Sequence, residues 1–155
     1  MRWLSRWWPA LIWAAVISAF STHFFTAENT GHILIPILHR LFPGASQDSL
    51  ELMHHYIRKC AHFTNYFILS LLILRSLREG QHATKLGWAL LAIALVFCYA
   101  SLDEFHQSFV PGRTPLFTDV LIDTSGAIVA QIVAALLLVR TQARDRQNRT
   151  AQLTN

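Results

Sequence analysis

Seventeen consecutive residues, LGWALLAIALVFCYASL at 86–102, carry no Asp, Glu, Lys or Arg. A stretch of this kind limits the possible folds severely. A backbone surrounded by hydrocarbon must satisfy its own N–H and C=O groups, and a helix does so with local bonds alone. Three more stretches share the pattern: residues 7–27 hold no such charge, residues 60–74 hold none between Lys59 and Arg75, and residues 117–139 hold only Asp119 and Asp123. About 20 residues at about 1.5 Å each cover a hydrocarbon core of ~30 Å. The expected fold class is therefore all-α, an integral membrane bundle of four transmembrane helices at about 8–26, 58–77, 86–105 and 117–139 in one domain over 1–139.

The charge-free part of the second helix is short for a bilayer, so Lys59 and Arg75 must sit near the two surfaces or snorkel. Arg2 and Arg6 before the first run also suit a signal peptide, with Ala19-Phe20-Ser21 as a loose cleavage site. The stretch HILIPILHRLF at 32–42 is too short to span and is interrupted by Pro36. It reads as an interfacial or re-entrant segment after the first helix. Beyond Pro43-Gly44, Asp48 and Glu51 have capping-box spacing, which starts a helix expected to run unbroken into the second span. Residues 140–155, RTQARDRQNRTAQLTN, read as a basic, disordered cytoplasmic tail.

A chain that is 53% apolar and only 14% charged is unlike a soluble domain. Nucleic acid is excluded as a partner, since the basic residues flank apolar runs and form no stripe among exposed aromatics. Cys60 and Cys98 lie in apolar runs without C-x-x-C spacing and read as small buried hydrophobes. Nine Lys and Arg fall on one side of a four-span topology, at the N-terminus, between the second and third helices and in the tail; Arg40, Arg58, Lys59 and Arg113 fall on the other. The positive-inside rule then predicts a multi-pass protein of the bacterial cytoplasmic membrane with both termini inside.

That orientation brings polar residues of three helices to one outer level. His55, Lys59, His62, Tyr66 and Ser70 follow at helical spacing on one face. Asp119 and Asp123 share a face with Gly126, Ala130 and Ala134, a small-residue ridge that admits a neighbouring helix. Asp103, His106 and Gln107 lie on one side of the third helix, with Glu104 a quarter-turn away, and the Pro111-Gly112 turn aims Arg113 back toward them. An ionised side chain at mid-bilayer costs on the order of 2.5–3.5 kcal/mol, so such residues face a bundle interior or a wet cavity. The expected site is a polar, outward-facing pocket of Lys59, His62, Tyr66, His106, Gln107, Arg113, Asp119 and Asp123. The plainer alternative is a structural clasp of ion pairs among helices. Asp103 and His106 have a spacing that Asp119 or His62 is able to join, but no recognised ligand signature is present, so neither metal nor cofactor is expected.

KCAHFTNYFILSLLIL at 59–74 resembles the K-x-x-H-F-x-x-Y-x-x-L element of the VanZ-like family, and SLDEFHQSFVPGRTPLFTDVLIDTSGA at 101–127 resembles its D-E-x-x-Q…P-x-R…D…G element. The resemblance spans roughly residues 55–130. It implies a bacterial integral membrane protein of about four helices, in a family whose founding member is linked to reduced susceptibility to teicoplanin, a lipidated glycopeptide. The family's polar signature falls on Lys59, His62, Tyr66, Asp103, Glu104, Gln107, Pro111, Arg113, Asp119 and Gly126. Asp123 stands where Asn is common and Ala130 where a second Gly is common.

Three function classes fit these residues. In the leading one the pocket binds a membrane lipid or a lipid-linked, anionic or glycopeptide-like envelope molecule, with Lys59 and Arg113 on the anion. In the second the protein is an enzyme on a lipid-linked substrate, with Asp103 or Glu104 as the catalytic acid-base and Arg113 stabilising developing charge. In the third it is a structural or assembly subunit that uses the Gly126 ridge.

Overall fold

A computed structural model describes residues 4–78, 86–111 and 115–153. The described residues form five α-helices: α1 (Leu4–Phe20), α2 (Ala27–Leu41), α3 (Gln47–Leu77), α4 (Leu86–Gln107) and α5 (Phe117–Leu153), with one 3-10 turn (His23–Phe25) between α1 and α2. Three are long and apolar enough to cross a membrane: α3, α4 and the Phe117–Arg144 part of α5.

α1 corrects the expected first span of 8–26: it has 17 residues and stops at Phe20. The apolar run continues, but its hydroxyls compete with the helix for backbone groups. Thr22 Oγ1 donates to Ala19 O at 2.7 Å, and the Thr26 hydroxyl caps α2 by accepting from Asn29 N–H at 3.3 Å. The expected interfacial segment is thus part of a regular helix of 15 residues that retains Pro36 in its interior. α3 begins one turn-signal earlier than expected. Ser46, rather than Asp48, is its N-cap, accepting from Ser49 N–H at 3.3 Å. The tail expected to be loose is instead helical to Leu153. It contains no Gly or Pro and carries four Arg and three Gln, both good helix formers, so elongation of a helix already nucleated continues through it.

α1 runs antiparallel to α3. Ser76 Oγ donates to the Arg6 carbonyl at 3.0 Å near one end, and Trp13 Nε1 donates to the Asn65 carbonyl at 2.9 Å further along. α5 runs parallel to α3, and α4 packs on both. α2 leans on the N-terminal half of α3 through buried Gly31 and Leu38.

The centre is built around Tyr66, with many small side chains among its neighbours: Ala10 and Ile17 of α1, Leu69 and Ile73 of α3, Ala92, Val96 and Ala100 of α4, and Val120 and Ala127 of α5. The outside carries the large ones, including Leu11, Ile12, Leu90, Leu95, Leu121, Ile132 and Leu136. Lipid makes such a surface favourable and leaves close packing, rather than water exclusion, to hold helices together. Cys60 and Cys98, expected to be buried, lie on this outer surface. Apolar runs in a membrane bundle include lipid-facing positions, and composition alone does not separate these from the interior.

Candidate functional site

Gly126 sets the distance between α3 and α5. A methyl group there would collide with the Phe63 carbonyl oxygen and lie 3.3 Å from Phe67 N, so the two backbones are in direct contact. Ala130 is fully buried on the same side. The ridge is therefore occupied within the chain, against α3. Two turns along, Ser70 Oγ donates to the Ala127 carbonyl at 3.2 Å, and Gln131 Nε2 donates to Ser70 Oγ at 2.7 Å.

This close seam brings the expected polar residues of α3 and α5 together. Lys59 forms an ion pair with Asp119, and both side chains are only about one-fifth exposed, 21% and 17%. One turn deeper His62 Nδ1 lies 3.4 Å from Asp123 Oδ1. Asp123 is buried, and its Oδ1 has no hydrogen-bond partner among the described residues. The separation suits an ion pair, while the alignment falls short of a hydrogen bond.

α4 supplies the third side. Asp103 Oδ2 accepts from Ser21 Oγ at 2.7 Å, Gln107 Nε2 at 2.9 Å and Tyr66 Oη at 3.2 Å, tying α4 to α1 and α3. Gln107 Nε2 also reaches Ser21 Oγ at 3.3 Å. Glu104 is nearly buried and accepts the Leu116 N–H at the entrance to α5. A carboxylate there complements the positive end of the α5 dipole. The two acids with an expected catalytic role thus hold protein donors in place. His106 lies on the exposed side and lines a cavity of about 180 Å³ with Ser18, Tyr99, Leu102 and Asp103. Arg113 lies outside the described residues.

The structure also displaces His55, expected on the inner face with Lys59. His55 is exposed, and its neighbour His54 is buried, with Nε2 3.1 Å from Thr30 Oγ1. His54 turns toward α2 because α2 covers that side of α3. Between these two helices lies a groove of about 600 Å³ lined in part by Glu28, His32, Glu51 and His54. Among the described residues, no group of three or more His, Cys, Asp or Glu is placed to hold a metal ion. Ser21 and Gln131 were not singled out by the sequence reading. Gln131 carries a signal, as an amide inside an apolar run; Ser21 carries little, since one hydroxyl at a helix end is ordinary.

A family model described as VanZ/LLP1 matches residues 6–138. No curated protein and no solved structure matches the chain.

Proposed function

The chain belongs to the VanZ/LLP1 family, and from that premise we propose that it crosses the bacterial cytoplasmic membrane four times and binds the anionic headgroup of a lipid-linked envelope molecule at its outer end. α1 supplies the fourth crossing in this reading. At 17 residues it covers about 25 Å, and tryptophans along it suit an interfacial boundary. The excess of Lys and Arg at the opposite end supports a cytoplasmic location for both termini.

The observation that carries the reading is the partly exposed Lys59–Asp119 pair above the buried Asp123. A lysine whose charge is balanced by one carboxylate at an accessible level exchanges that partner for a ligand phosphate or carboxylate with little rearrangement. Arg113, which falls between α4 and α5 in the sequence, is in this reading a second cation, with a guanidinium able to grip such an anion bidentately. A glycopeptide-like ligand, and with it a link to teicoplanin-type susceptibility, is the family-level form of this proposal.

Lipid identification by mass spectrometry on the detergent-purified protein tests it. The wild type is expected to retain an anionic lipid species that Lys59→Met/Arg113→Ala loses. Identical lipid content in the two preparations would refute the reading.

A further inference from the structure

A second feature lies beside the charged cluster, where the break between α1 and α2 meets α3. Here the chain forms a cleft of about 220 Å³, walled by Phe20, Phe25 and Ile57. Ala61, Arg58 and His62 line it as well, the last two giving it a polar side. Phe20 and Phe25 pack edge to face with ring centroids 4.8 Å apart, which fixes one wall. These walls belong to the outer, lipid-facing surface, since Phe20, Phe25 and Ile57 are each more than two-fifths exposed. An apolar cavity of about 150 Å³ already accommodates a benzene ring. This one therefore has room for a segment of hydrocarbon chain.

The polar edge is built rather than incidental. Arg58 Nη1 donates to the Phe25 carbonyl and to Thr30 Oγ1, each at 3.0 Å, so the guanidinium is held across the junction of the 3-10 turn and α2. A guanidinium fixed in this way carries its charge to the cleft with little conformational freedom left to lose. His62 also lines the cleft, and its Nδ1 lies 3.4 Å from Asp123 Oδ1. Asp123 is 2% exposed, and that oxygen has no hydrogen-bond partner among the described residues. An arginine and a histidine backed by a buried acid thus both border a largely apolar cleft.

We propose that this cleft is a binding site for a phosphate-bearing lipid, with a hydrocarbon chain lying along Phe20, Ile57 and Ala61 and the phosphate held by Arg58 beside His62. The proposal rests on the reading of the outer end as a lipid-binding surface and adds to it the chain-binding wall, the phosphate class and Arg58. Lipid is the occupant because the same cleft offers an apolar wall at the bilayer flank and a cationic head, Arg58, next in sequence to Lys59.

Native mass spectrometry of the full detergent-purified chain tests this, with phosphatidylglycerol as one probe and diacylglycerol of the same chain length as the other. The wild type is expected to retain phosphatidylglycerol roughly tenfold better, the scale of one hydrogen bond to a charged group. Arg58→Gln is expected to abolish that preference. Ala61→Phe, which fills the cleft and touches no polar group, is expected to weaken both probes. Equal retention of the two probes by the wild type overturns the phosphate assignment. Wild-type retention by Ala61→Phe overturns the cleft, whatever Arg58→Gln does to folding. Lys59→Met/Arg113→Ala separates the two ideas. If it loses its co-purifying lipid while Ala61→Phe binds normally, the cleft fails and the outer-end reading stands. If it keeps that lipid while Ala61→Phe loses phosphatidylglycerol, the outer-end reading fails and the cleft remains.

Discussion

Gly126 of α5 and Gly31 of α2 both face α3, but a methyl at Gly126 would strike the Phe63 backbone, whereas one at Gly31 would meet only His54 and Ile35 side-chain atoms at 3.5 Å or more. The α3–α5 seam is fixed at backbone contact, and the α2–α3 flank is held by side chains with grooves between them. One helix therefore serves two purposes. Its inner side demands a single geometry, and its outer side leaves room for something else.

The largest expected effect breaks this comparison directly if it fails. Gly126→Ala is expected to destabilise the protein by about 1–3 kcal/mol, the usual cost of overpacking. Gly31→Ala is expected to be neutral or to gain up to about 1 kcal/mol from helix propensity. Unfolding midpoints in detergent measure both, and equal shifts would mean that the two contacts are equivalent. A smaller effect belongs to the outer end of the seam. Lys59→Met strands Asp119, so it is expected to destabilise more than Lys59→Met/Asp119→Leu, with a coupling energy of about 0.5–3 kcal/mol in the double-mutant cycle. A coupling of zero would mark the ion pair as incidental. The smallest effect sharpens the picture inside the seam. Gln131→Leu removes the bonds to Ser70 together with a buried Oε1 that has no partner among the described residues. Its cost is expected near 0.6 kcal/mol, the average for interhelical bonds in a membrane bundle, and a much larger loss would assign the seam's stability to polar bonds rather than to packing.

Residues with a high desolvation cost were the legible ones. Lys59, Asp103, Asp119 and Asp123 stand in or beside apolar runs, where an ionised group survives only with a partner, so helical spacing was enough to bring them to one level. Tyr66 and Gln107 followed from sharing those faces. Ser21 did not, although it joins α1 to the same carboxylate, because a hydroxyl carries no comparable penalty and leaves no mark in the pattern. The end of α1 was missed for the same reason. Phe24 and Phe25 extend the apolar run, while the hydroxyls of Thr22 and Thr26 decide where the helix stops and the next one starts. The choice between His54 and His55 depended on where α2 lies, a tertiary fact that the periodicity of α3 does not contain. Helix beyond Arg140 was masked by polarity, which reports on solvent rather than on backbone conformation.

Asp103 has a bearing on the order in which the molecule is made. Its oxygen takes a donor 82 positions earlier in the chain, one 37 earlier and one four later. The ribosome releases Ser21 and Tyr66 long before the acid that needs them, so both donors already exist when α4 arrives. Until then the only one of these three donors that the new segment brings with it is Gln107. The full set of donors to Asp103 is therefore assembled only once α4 has met both earlier segments, which makes this one carboxylate a check on the assembly of three parts of the chain.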